Sequence, residues 1–198
     1  MNLRTIPSGK KKSSKKQSNP PLFAGVRSNW VQKWPVLLFV LGFVVLMILF
    51  YSVWLSDYFQ RDIHPHIVSL NAGLSSFIMN IFGMGTMARD EMIYSCSFSV
   101  SIARGCDAVE AMALFATALL AFPANWRFKL PGFFAGIAIL FALNILRITS
   151  LFFIGIHFPR EFEFVHAEVW QVLFIIFAVS LWIFWIRWTR KEEAQHAA

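Results

Sequence analysis

Four stretches of this chain are long and apolar enough, or nearly so, to cross a membrane, and nothing else in the sequence limits the fold as strongly. The first runs from Pro35 to about Leu55, with Trp30, Trp34 and Trp54 placed for the two interfaces. The second covers about Asp107 to Phe122 and is closed by Pro123. The third covers about Leu130 to Phe158, and the fourth about Ala167 to Trp188, ending among Arg187, Arg190 and Lys191. A helix rises ~1.5 Å per residue, so ~20 residues cross the ~30 Å hydrocarbon layer. The second run is short and must lie with little tilt, or begin above the lipid. With 57% apolar and 15% charged residues, the chain carries more apolar surface than one small core can bury. That excludes a soluble enzyme, a disordered chain and a disulfide-stapled secreted domain. The unbroken runs exclude a porin-type barrel, whose strands alternate polar and apolar residues.

Charge placement sets the orientation. Residues 1–34 hold eight Lys/Arg and no Asp/Glu, with Lys10, Lys11, Lys12, Lys15 and Lys16 clustered among Ser, Asn and Pro. This reads as a basic, disordered cytoplasmic tail that attracts anionic lipid, not as a nucleic-acid site. With four spans and both ends in the cytoplasm, the inside segments hold 13 of the 18 basic residues and, of the 11 acids, only Glu192 and Glu193. That is the asymmetry the positive-inside rule requires. A fifth span would break it.

His66 to Gly83 is therefore expected to lie at the outer interface. Ile67, Leu70, Leu74, Phe77, Ile78 and Ile81 recur at helical steps, with Ser69, Ser76 and Asn80 on the other side. From Met87 to Arg104, Tyr94, Cys96, Phe98, Val100 and Ile102 alternate with serines. A period of two predicts a small hairpin or extended segment. The expected fold class is thus an all-α membrane protein, a bundle of about four transmembrane helices plus an extracytoplasmic amphipathic helix and a short strand-like segment. Residues 35–190 form one membrane-embedded domain, and 191–198 a cytoplasmic tail.

In this topology three reactive residues gather near one level. Cys106 starts the second span, His166 starts the fourth, and Arg147 lies inside the third, ~15 Å below its outer end. An ionisable residue inside a membrane helix is a functional-site candidate by default, and Arg147 keeps its proton. A thiolate is the reactive form of cysteine, and a nearby cation or a helix N-terminus favours it. Arg147 suits a developing oxyanion or a substrate carboxylate. The same residues also admit bland roles: Cys106 as a packed small hydrophobe, His166 as an interfacial cap, and Arg147 paired structurally with Glu110. Glu110 lies one turn beyond Cys106, Asp107 is placed to cap the helix start, and Asn144 lies one turn from Arg147, within hydrogen-bonding reach. Cys96 reads as a strand packing residue, and a disulfide to Cys106 would disable that thiol. His64 and His66 read as surface residues around Pro65, and His157 as interfacial. No clear metal-ligand set, Walker motif, dinucleotide fingerprint or haem-attachment motif occurs, so no metal or cofactor is expected.

The runs Arg104-Gly105-Cys106-Asp107-Ala108-Val109-Glu110-Ala111, Asn144-Ile145-Leu146-Arg147-Ile148 and Phe164-Val165-His166 resemble the exosortase/archaeosortase family, and most closely its compact exosortase H branch. The resemblance covers about Leu70 to Trp185. It departs from the wider family after the cysteine, where Cys-Ser-Gly followed by an Arg is usual and Asp107-Ala108-Val109-Glu110 stands here. It implies a bacterial inner-membrane cysteine protease/transpeptidase with its site at the outer face. Substrates would be exported proteins ending in a short motif, a membrane helix and a basic cluster. Cys106 would be the nucleophile, Arg147 the oxyanion or substrate-holding group and His166 the proton-transfer partner. The other readings are a non-catalytic scaffold or assembly subunit with a buried Arg147–Glu110 pair, and an ion or proton carrier using Arg147, Glu110 and His166.

Overall fold

The computed structural model describes residues 24–96, 98–102 and 105–196, with side chains from Trp34 to Gln195. The chain divides into two units, Met1–Pro35 and Val36–Ala198. The Lys10–Lys16 cluster lies outside the described residues. In the first unit, the residues from Ala24 onward are already helical, where the sequence predicted disordered tail.

Helix α1 (Ala24–Trp54) leads through a π turn (Phe59–Ile63) into α2 (His64–Ile81). Three strands follow, β1 (Met87–Arg89), β2 (Met92–Tyr94) and β3 (Ser99–Ser101). Then come α3 (Val109–Ala121), α4 (Trp126–His157), α5 (Phe162–Phe164), a second π turn (Val165–Val169) and α6 (Trp170–His196). The positions expected as a C-terminal tail thus continue α6 as far as His196.

Among the described residues, three helical stretches have the length and composition to cross a membrane: Trp34–Trp54, Trp126–His157 and Phe162–Gln195. The second expected span is α3, whose 13 residues reach only about 20 Å. It is apolar but short, as the brief run before Pro123 forewarned. Val36, Leu41, Val45 and Ile48 of α1 are exposed. So continuous an apolar surface suits lipid contact and not water.

Aromatic rings lock one end of the bundle. Phe39 meets Phe122 and Trp182, and Phe122 also meets Trp185. Beside them Lys129, buried in the first turn of α4, donates through Nζ to Leu120 O at 2.7 Å. That cation satisfies a carbonyl at the C-terminal end of α3, where the helix dipole is negative. Near the middle, Gly136 of α4 lets the Phe115 ring of α3 lie against its backbone.

Helix α2 packs with its small and polar face inward. Val68, Asn71, Ala72, Ser75, Ser76 and Met79 are buried, whereas Leu70, Leu74, Phe77 and Ile81 are exposed. The apolar stripe seen in the sequence therefore faces away from the protein, as an interfacial helix requires. Asn80 turns back to Thr86, accepting its N–H at 2.6 Å and donating to its carbonyl at 2.8 Å, which fixes the chain's exit toward β1.

The strand-like segment is a three-stranded antiparallel meander in the order β1-β2-β3. Asp90, at φ 54°, turns β1 into β2. Ser95 N–H donates to Phe98 O at 2.8 Å and closes the next turn. That turn makes β2 and β3 the small hairpin that the period of two predicted as one of its two forms. Ile93 pairs with Val100 on the inner face, and Tyr94 and Cys96 are exposed. Cys96 is thus a free turn residue rather than a packed strand residue.

Candidate active site

The candidate site is built on the loop 105–108, between the sheet and α3. Gly105 has φ +85° and Ala108 φ +61°. Glycine adopts that region freely, whereas for Ala108 it is a strained conformation. The two reversals turn the chain sharply and present Cys106 half-buried between them.

Cys106, Arg147 and His166 come together there. Cys106 Sγ lies 2.8 Å from His166 Nε2. Arg147 Nη2 donates toward Cys106 Sγ at 3.7 Å, and Nη1 donates to Gly105 O at 3.2 Å. Arg147 is buried, and its guanidinium lies over the Phe174 ring, 5.8 Å from the centroid. His166 stacks on Phe162, with centroids 5.8 Å apart and planes at 21°. Its Nδ1 is buried without a partner among the described residues. The ring is therefore oriented by stacking and by the second π turn. Arg147 stands ten residues before the end of α4, so the site lies ~15 Å along the helix from that end.

Burial pushes the Cys106 thiol above its ordinary range; the Arg147 guanidinium pulls it down, the Asp107 and Glu163 carboxylates push it up, and burial prevails. This reverses the sequence expectation of a lowered pKa. The helix terminus gives no relief, because the Val109 N–H donates to Asp107 Oδ1 at 3.2 Å. The resting thiol is neutral and needs a base, and the ring nitrogen 2.8 Å away is placed to be one.

Of the three supporting residues, Asp107 accepts the Val109 N–H, the first amide of α3, through Oδ1. Glu110 is exposed and makes no ion pair with Arg147 among the described residues. It stands instead on the wall of a crevice of about 190 Å³ that reaches Gly105 and Arg147. The buried Arg–Glu pair of the scaffold reading is therefore absent; a carboxylate left in solvent does not repay the cost of desolvating both partners. Asn144 does not bond Arg147. Its Nδ2 donates to Asn71 Oδ1 at 3.1 Å, tying α4 to α2. A smaller cavity of about 100 Å³, lined by Ile148, Leu151 and Phe162, opens onto Cys106 and His166.

One residue read as surface belongs here. His64 is partly buried, and its Nε2 lies 2.7 Å from Asp107 Oδ2. It lies 43 positions from Asp107, and only its polarity marked it in the sequence. Phe162 and Phe174 were hidden among 22 phenylalanines.

Helices suited to a membrane hold a thiol with an imidazole and a guanidinium each against it, which makes this a membrane protein with a candidate thiol site. Residues 22–185 match the family described as transmembrane exosortase. The match takes in all three residues and more than half of the chain, and the protein belongs to that family, as the sequence resemblance implied. No curated protein and no solved structure matches it.

Proposed function

We propose that this exosortase is a membrane-embedded cysteine endopeptidase/transpeptidase that cleaves the C-terminal sorting signals of exported proteins through a thioester. The observation that carries the reading is Cys106 Sγ at 2.8 Å from His166 Nε2 with the Arg147 guanidinium at 3.7 Å. His166 Nε2 takes the thiol proton as sulfur attacks the peptide carbonyl carbon. Negative charge grows on the carbonyl oxygen, and Arg147, whose charge is permanent, stabilises it. The C–N bond then breaks, and the imidazolium returns its proton to the departing amine. Water or an acceptor amine attacks the thioester, giving its proton to His166, and the released sulfur is reprotonated.

The partners are exported proteins carrying a short motif, a membrane helix and a basic cluster. The crevice beside Arg147 and Gly105, walled by Met47, Leu114, Phe174 and Ile175, suits lateral docking of such a helix. Anionic lipid is the proposed partner of the N-terminal lysines. Family membership implies a bacterial inner-membrane location, and the charge asymmetry supports cytoplasmic termini with the site at the outer face.

The test replaces Cys106 by Ala and by Ser and follows the size of an exported reporter bearing such a C-terminal signal in cells. Full-length reporter is expected with Ala, and strongly slowed cleavage with Ser. Normal processing by Cys106→Ala at wild-type abundance would end the proposal.

A further inference from the structure

The loop that carries Cys106 is gripped from two sides, and only one grip belongs to the proposed reaction. Arg147 holds Gly105 through its carbonyl. Asp107, the residue after Cys106, is wholly buried. A carboxylate so far from water is costly unless it is paired and hydrogen-bonded. Each of its oxygens has one partner among the described residues. Oδ1 takes the Val109 N–H at the start of α3, and Oδ2 meets His64 Nε2 at 2.7 Å.

His64 comes from a distant part of the chain. The π turn Phe59–Ile63 ends at it, α2 starts from it, and Trp54 at the end of α1 stands edge-on to its ring at 5.4 Å and 87°. Pro65 follows at the second position of α2, where a missing N–H costs nothing. The turn thus has no evident use for folding that a regular helical connection would not serve, but it delivers one imidazole to one buried carboxylate.

We propose that His64 is a positioning residue for the nucleophile: paired with Asp107 through Nε2, it fixes the strained loop 105–108 and so holds Cys106 against Arg147 and His166. The proposal rests on the reading of Cys106 as the nucleophile. Without His64, the buried Asp107 Oδ2 loses its partner and the carboxylate turns or swings out. Either change draws Cys106 away from Arg147 and His166, and a displacement of about 1 Å can cost 10²-fold in rate.

The charged and titratable groups facing Cys106 are Asp107 in its own loop, Arg147 on α4, Glu163 on α5 and His166 on the second π turn. Those sharing the large cleft beside His64, about 830 Å³, are His66 on α2 and Arg89, Asp90 and Glu91 on β1 and its turn. Asp107 is the one that touches both His64 and the Cys106 loop.

The test uses the full-length protein in membrane vesicles, with the exposed Cys96 changed to Ser so that Cys106 is the sole thiol. Alkylation by N-ethylmaleimide is followed against pH, beside processing of the exported reporter. In His64→Ala, the alkylation profile moves to higher pH and reporter processing falls about 100-fold. In His64→Ala/Asp107→Asn, the unpaired charge is gone, and the profile returns to that of Asp107→Asn alone. His64→Gln keeps an N–H donor for Asp107. It is expected to hold the loop, with processing and alkylation profile both closer to those of the unsubstituted His64 enzyme than in the Ala variant. An unchanged profile in His64→Ala, or a double variant no better than the single one, overturns the proposal. If His64→Ala does not accumulate, the double variant decides: a profile different from that of Asp107→Asn alone overturns the proposal. Normal processing by Cys106→Ala would instead remove the functional reading, which the alkylation profiles do not depend on.

Discussion

Cys106 Sγ and His166 Nε2 stand 2.8 Å apart although 60 positions separate them. The thiol is held neutral by burial, so the thiolate fraction grows only as pH rises above the ordinary cysteine value of about 8.5. In a Cys96→Ser background, alkylation of Cys106 by iodoacetamide should therefore still be accelerating at pH 8.5. A rate already level below pH 7 would mean a resting thiolate–imidazolium pair, and the burial argument would fail.

The same contact predicts what His166→Ala does. Nδ1 has no partner among the described residues, so removing the ring breaks only the bond to sulfur and the stack on Phe162. Abundance should stay close to wild type while reporter processing drops by about 10²–10⁴-fold, the usual worth of a proton-transfer group. Quantitative blotting of reporter and enzyme in the same cells checks both.

Arg147 reaches Gly105 O with one terminal nitrogen and Cys106 Sγ with the other. That fork is specific to guanidinium geometry. A lysine keeps the charge but is a single point donor on a different stem. Arg147→Lys should therefore behave nearly as Arg147→Gln, with processing lowered by about 10²–10³-fold. An Arg147→Lys enzyme within tenfold of wild type, measured as initial rate at equal abundance, would contradict the two-point role.

The helices and the three converging residues were legible because lipid imposes long apolar runs, and because Cys106 and His166 each stand near the start of one. Arg147 was legible because a cation inside such a run is expensive. What stayed hidden depends on contacts between segments far apart in sequence. His64 reaches Asp107 through a π turn, and no residue pattern announces that turn. Asn144 found Asn71 instead of Arg147 because α2 crosses α4 with its polar side inward, a packing choice invisible to periodicity. The period-two spacing fitted the small hairpin but not which residues share a face, because the Ser95 N–H bond to Phe98 O places a turn inside the run.

The Asn71–Asn144 bond predicts a non-additive pair. Both side chains are buried, and Asn144 Nδ2 is the described donor to Asn71 Oδ1. Asn144→Leu strands that oxygen in the interior, at about 1–3 kcal/mol. Changing Asn71 to Leu as well removes the stranded group and should recover part of the loss. Thermal unfolding in detergent, followed by tryptophan fluorescence, reads both midpoints. A double variant less stable than either single one would refute the pairing.

Gly136 and Phe115 link the stability of the bundle to the site. A Cβ on Gly136 would run into the Phe115 ring, which is almost wholly buried. Gly136→Val should therefore push α3 from α4, with an overpacking cost of about 1–3 kcal/mol. Helix α3 begins three residues after Cys106, so the displaced helix carries the nucleophile loop with it. Two readouts follow from that connection: a lower unfolding midpoint, and an altered Cys106 alkylation rate in the Cys96→Ser background. Phe115→Ala alone leaves a cavity, but combined with Gly136→Val it makes room for the added methyl groups. The double variant should regain both the midpoint and the alkylation rate relative to Gly136→Val. If the midpoint recovers and the alkylation rate does not, α3 packing and the geometry of the Cys106 loop are uncoupled.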